Sequence, residues 1–112
     1  MDILDPLLHQ PLRTQLAAYL AGAGEATFSE LKRQLDVSDG NLDSHLKKLI
    51  AADYVNVRKD DSAARTQTCY ALSPAGRAAL QNYILALQTL LTMDNPEPSA
   101  HAKQRETKMK AA

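Results

Sequence analysis

A chain of 112 residues, 45% hydrophobic and 23% charged, is sized for one soluble domain. Thirteen basic and thirteen acidic side chains cancel, and up to Met93 nine Lys/Arg meet ten Asp/Glu, so bulk charge carries no nucleic-acid signature. No apolar run reaches the ~20 residues that span a bilayer; the acidic start "MDILDPLLHQ" lacks the marks of a secretory signal, and one Cys with three scattered His residues offers neither an internal disulfide nor metal-ligand spacing.

The expected setting is therefore a reducing cytoplasm, with no membrane partner, no metal and no cofactor. With Trp absent and a single Phe, the core must be aliphatic.

From about Pro6 to Ala23, Leu8, Leu12, Leu16, Tyr19 and Leu20 recur at helical spacing, and the glycines of "GAGEA" end the run. Pro11 suits the first turn of that helix or a break before it, having no N–H to donate. A short helix follows in "TFSELKRQLDVSD", with Ser29 at its start, Leu31 and Leu35 inward, and Glu30, Lys32 and Arg33 outward. Ser38 then caps a third helix in which Leu42, Leu46 and Leu49 form a buried stripe. The stripe leaves Gly40, Asn41, Asp43, Ser44, Lys47 and Lys48 for an outside partner. His45 lies between the two faces, either packed or donating to a phosphate.

Beyond Tyr54 the period changes to two. Val55 and Val57 alternate with Asn56 and Arg58, "DSAAR" makes a polar tip, and "TQTCYAL" resumes with Cys69 or Tyr70 and Leu72 inward, so a two-stranded hairpin is predicted. Cys69 is expected to be a small buried residue rather than a redox sensor. Ser73 ahead of Pro74 opens a last helix, about 74–93. There Leu80, Ile84, Leu87 and Leu91, with Leu85 and Leu90, cover more than one face, which favours a helix from a second chain and hence a homodimer. Residues 94–112 read as a disordered tail beyond a single domain spanning 1–93.

The order helix, helix, helix, hairpin, helix is mainly α with a small β-hairpin, the order of a winged helix-turn-helix. The major groove of B-DNA admits one helix, and short polar residues near its start reach base edges. Asn41 and Ser44 suit base or phosphate contacts, Gly40 permits close backbone approach, and the N–H groups of the first turn after Ser38 suit a phosphate. Lys47 and Lys48 suit phosphates, which fix register without reading sequence. Asp43, Ser44 and His45 are neighbours along one helix and do not aim a base at a nucleophile, so no catalytic residue is assigned and no enzyme is expected.

Five segments in order, "HQPLR" (His9 to Arg13), "FSELKRQL" (Phe28 to Leu35), "SDGNLDSHLKKL" (Ser38 to Leu49), "AADYV" (Ala51 to Val55) and "YALSPAGRAAL" (Tyr70 to Leu80), resemble the small winged-helix transcriptional regulators related to the MarR and ArsR groups. The resemblance covers roughly Leu4 to Leu90. It implies a homodimeric repressor or activator on double-stranded DNA, repression by blocking polymerase being the expected sign. The helix from Asp39 would be the recognition helix and the hairpin from Tyr54 to Leu72 the wing, with Arg58, Lys59, Arg65 and Thr66 as wing contacts; terminal helices form the dimer in such families.

Three residues depart from that pattern. Asp43 stands on the DNA face, and Asp60 and Asp61 stand beside the wing tip. The paired cysteines of the metal-sensing branch are missing. The alternative reading is a winged-helix module that binds protein through the same surface. A small-molecule effector between the dimer helices and the DNA-binding lobe is compatible with the sequence, which names none.

Overall fold

The computed structural model describes residues 4–62 and 64–94. Near the start of the described residues, Asp5 Oδ1 accepts the Leu7 N–H at 2.9 Å, turning the chain so that Leu8 is buried ahead of any helix. The helix expected from about Pro6 therefore starts later. Gln10 caps it by accepting the Arg13 N–H at 2.9 Å, Pro11 occupies the first turn, and α1 runs Pro11–Ala23. Gly24, at φ 84°, ends it with a hydrogen bond from its N–H to the Leu20 carbonyl.

A two-residue strand, β1 (Ala26–Thr27), comes next. The hairpin reading missed it, because two residues are too few to show a period. Thr27 then caps α2 (Phe28–Leu35), its hydroxyl accepting the Glu30 N–H, so the helix starts ahead of the expected Ser29. The Tyr19 hydroxyl donates to Glu30 at 2.5 Å and ties α1 to α2. Asp36, in the left-handed region at φ 55°, stops α2, and the chain reverses through Val37 to Ser38.

Ser38 caps α3 (Asp39–Ala51) as expected, accepting the Asn41 N–H at 3.2 Å. At the far end Asp53 takes a left-handed φ of 65°, with its N–H bonded to the Ile50 carbonyl and that of Tyr54 to the Leu49 carbonyl. This paired closure stops the helix and sends the chain straight into β2 (Val55–Asp60). β3 (Gln67–Leu72) returns beside it, in register from Val55 opposite Leu72 to Asp60 opposite Gln67. β1 pairs with the other edge of β3, so the sheet is three antiparallel strands in the order β1-β3-β2.

Leu8, Leu16, Leu20, Leu31, Leu42, Leu46 and Leu49 are all less than 2% exposed and make the centre of the core. At about 1.5–3 kcal/mol for each fully buried side chain, these leucines are the principal drive that assembles the three helices. Val55 and Leu72 bury against it from the sheet. Val57, expected to share that burial, is 44% exposed, because β2 runs on past the helices into the free part of the wing.

Ser73 starts α4 (Pro74–Asp94) and locks it to the end of α3. Its Oγ accepts the Gly76 N–H, its hydroxyl donates to the Asp53 carbonyl, and its own N–H donates to the Tyr54 carbonyl. A Cβ on Gly76 would stand 2.1 Å from that Tyr54 oxygen, so only glycine fits there. The Tyr54 hydroxyl donates in turn to Asp5, a bond that pushes the phenol up to about 12.

Leu80, Tyr83 and Leu87 of α4 pack on the chain's own core, while Ile84, Leu85 and Leu91 are 45%, 59% and 69% exposed. The expected four-residue seam is thus divided between the core and an open face. No helix among the described residues is long and apolar enough to cross a membrane. Residues 95–112, nearly all of the expected tail, lie outside the described residues.

Candidate nucleic-acid interface

Burial of Leu42, Leu46 and Leu49 fixes the rotation of α3, and with it the residues that face outward. Gly40, Asn41, Ser44, Lys47 and Lys48 are exposed, and Asp43 is half-buried at the side of that face. A Cβ built on Gly40 meets nothing within 4 Å, so the fold itself has no need of a glycine there. Ser38, also exposed, spends its hydroxyl on the cap.

Between α3, the start of α2 and β3 lies an open cleft of about 550 Å³, lined by Thr27, Phe28, Ser29, Asp43, Arg65, Thr66, Gln67, Thr68 and Tyr70. It brings Asp43 of the third helix into one lining with Arg65 and Thr66 of the wing. Phe28 and Tyr70 form its floor, their rings tilted at 52° with centroids 6.4 Å apart. Burial, and after it the charge of Asp43, push the Tyr70 phenol up. Thr27, Phe28, Ser29, Gln67, Thr68 and Tyr70 are not assigned to the site from sequence. Their only signal is spatial, since α2 and β3 are far apart in the chain and meet through β1.

The cations divide into engaged and free. Arg58 forms a two-bond fork with Glu25, at 2.9 and 2.8 Å, which holds the Glu25 carboxyl below the usual range. Lys32 pairs with Asp39 at 2.8 Å across the turn between α2 and α3, and Lys47 with Asp43 at 3.0 Å one helical turn away. Among the described residues Lys48, Lys59 and Arg65 pair with no carboxylate.

The acidic residues at the wing tip have a structural use. Asp60 accepts both the N–H and the hydroxyl of Ser62, bonds that hold its carboxyl low, and Asp61 accepts the Thr66 hydroxyl at 2.7 Å. Their acceptor oxygens close the loop that sequence alone showed only as opposing charge.

His45 turns toward α1, where its Nδ1 accepts from Arg13 Nε at 3.1 Å. A guanidinium can only donate, so the neutral ring carries its proton on Nε2. Burial first, then Arg13 and Lys48, lower the pKa of this ring. Cys69 is buried. Among the described residues no three His, Cys, Asp or Glu side chains converge as a metal site.

A three-helix core with a polar-faced third helix set beside a β-wing defines a winged helix-turn-helix protein. The sequence profile of the winged helix DNA-binding domain matches residues 12–91, and the chain belongs to that family. An uncharacterised protein of Methanocaldococcus jannaschii is 33% identical over 84 residues, covering 75% of this chain and 91% of that protein. Among solved structures, a transcriptional regulator homologue from Pyrococcus horikoshii OT3 superposes with a TM-score of 0.75 at 25% identity, over 80% of this chain and 88% of its own. The transcriptional regulator BldR from Sulfolobus solfataricus shares the fold at 16% identity, with a TM-score of 0.64 over 91% of this chain and 73% of its own. The expected likeness to winged-helix regulators of the MarR and ArsR type holds.

Proposed function

We propose that this protein is a sequence-specific regulator of transcription that grips duplex DNA as a homodimer in the cytoplasm and represses by occupying a promoter. The observation that carries the reading is the outer face of α3. Its Gly40, Asn41, Ser44 and Lys48 are exposed, packing does not require the glycine, and the helix stands beside a cleft that Arg65 also lines. Asn41 and Ser44 would meet base edges, and Gly40 would let the backbone approach. Lys48, Lys59 and Arg65 would hold phosphates, joined by Lys47 when it leaves Asp43. Arg58 would stiffen the wing through Glu25 rather than touch DNA.

The open face of α4 supports the dimer. Ile84, Leu85 and Leu91 would meet their symmetry mates, Leu80 and Leu87 bracing the helix from beneath. A two-fold dimer would read an inverted repeat with half-sites about one helical turn apart.

Titrating binding to a duplex against salt tests this reading. Lys48→Ala, Lys59→Ala and Arg65→Ala should each weaken binding for all sequences and reduce the slope of log K on log salt by about 1.8, one phosphate from each protomer at about 0.9 apiece. A second reading, a module that binds protein through α3 and the wing, is favoured by the three cations already paired with carboxylates. It predicts no binding to duplex even at low salt.

A further inference from the structure

The acidic residue on the DNA face has no role yet in this scheme. Asp43 sits one turn before Lys47 on α3, its carboxylate 3.0 Å from the ammonium, and lines the cleft shared with Arg65 and Thr66. Its side chain is 51% exposed and that of Lys47 75%, so both can be reached by a ligand without unfolding the helix. Lys47 is its ion-pair partner, and Leu42 and Leu46 on the opposite face hold the helix in place whether or not that pair forms. The fold thus does not explain why a carboxylate stands where a phosphate backbone is to pass.

Resting on the DNA-binding reading above, we infer that Asp43 is a specificity-determining residue: it accepts a hydrogen bond from the exocyclic amine of a cytosine, and in doing so releases Lys47 to a phosphate. In the free protein Lys47 neutralises Asp43. An exposed pair at this spacing is weak and exchanges partners at little cost.

On a matching base pair the cytosine N4 amine replaces the ammonium at the carboxylate, and the freed ammonium takes a phosphate oxygen, so both charges remain satisfied. Where guanine O6 and N7 or thymine O4 faces the carboxylate, acceptor meets acceptor. Lys47 must then stay with Asp43, and the mismatched site loses a base contact and a phosphate contact together. Discrimination of this kind works by rejecting wrong sequences, and it lowers the affinity for random DNA that a basic face would otherwise show.

The test compares wild type, Asp43→Asn, Lys47→Ala and the double variant, each titrated with a duplex selected by the wild-type protein from a random pool and with a scrambled duplex. An amide cannot hold Lys47 by charge, and it pairs with adenine through N6 and N7 rather than with cytosine alone. Asp43→Asn should bind the scrambled duplex more tightly, and its preference for the selected over the scrambled duplex should fall by about 5- to 100-fold for each half-site, the span of one good base contact. Reselection with this variant should change one position in each half-site from cytosine to adenine. Lys47→Ala should weaken scrambled binding more in the Asp43→Asn background than in wild type.

The inference is overturned if Asp43→Asn alters both duplexes by the same factor and reselection returns the wild-type site. Should the amide disturb the helix, as a lowered melting temperature would reveal, Asp43→Ala removes the acceptor altogether in a helix-favouring residue and must abolish the cytosine preference. A wild-type protein that retains no duplex at low salt would sink the DNA reading together with this inference. A wild type that selects a site indifferent to Asp43 would sink the inference alone.

Discussion

Nε of Arg13 donates to Nδ1 of His45 at 3.1 Å, and the same guanidinium donates to the Leu7 carbonyl, so one side chain of α1 holds both the N-terminal turn and α3. His45 must be neutral for this bond to exist, because a protonated ring has no lone pair to offer. Its pKa lies below the ordinary 6.5 in the folded chain. As pH falls through 6.5 the unfolded chain takes up a proton that the folded chain refuses, so stability is full above that pH and is lost on the way down to the folded value. Unfolding titrations in urea from pH 8 to 5 should show this loss in wild type and a smaller one in His45→Gln. Equal pH dependence in the two proteins would contradict it.

Gly76 packs against the Tyr54 carbonyl where a Cβ would come to 2.1 Å. Backbone lies on both sides of that contact, so neither can rotate away. Gly76→Ala should cost about 3 kcal/mol, a fall of more than 10 °C in melting temperature at about 4–8 °C per kcal/mol. Thermal unfolding followed by circular dichroism gives the number, and a fall of only a few degrees would mean that α4 slides off its seat cheaply.

Freeing Arg58 should do more for DNA than removing it. With Glu25→Gln the fork loses its charge, and the released guanidinium of each protomer should steepen the salt slope by about 1.8 in all while tightening binding at low salt. Arg58→Ala should leave the slope near the wild-type value. Because the pair is exposed, neither change should alter stability by more than about 1 kcal/mol. Fluorescence anisotropy on a labelled duplex reads both slopes, and a shallower slope in Arg58→Ala would make Arg58 a phosphate contact after all.

The two sides of α4 should respond differently to substitution. Leu91→Glu and Leu85→Glu, on the open face, are expected to give a monomer in sedimentation while the far-ultraviolet spectrum stays helical. Leu80→Ala, under the same helix, should destabilise the domain by about 2–5 kcal/mol. A monomeric wild type would contradict the proposed assembly.

The sequence marks α3 at both ends, with Ser38 before it and the change of period after Tyr54, and three leucines at helical spacing between. Helix, rotation and outward face were therefore legible. β1 was not, since two residues carry no period and only their pairing with Tyr70 and Cys69 reveals them. Periodicity also showed that α4 has more apolar surface than one face needs, but not which leucines the chain itself covers, because that depends on α1 and the turn before it. The partners of Arg58 and His45 lie 33 and 32 residues away in the chain, beyond any local pattern. The carboxylate that pairs with a wing arginine and the hydrogen bonds that engage an acidic wing tip are thus invisible to local pattern.

The most direct measurement is retention of randomised duplex DNA by the full chain at two salt concentrations, with sequencing of the retained pool. An enriched inverted repeat with half-sites about one helical turn apart, bound more weakly at the higher salt, is the expected result. A pool that stays random, with no duplex retained even at the lower salt, would contradict the proposal that this winged helix reads DNA.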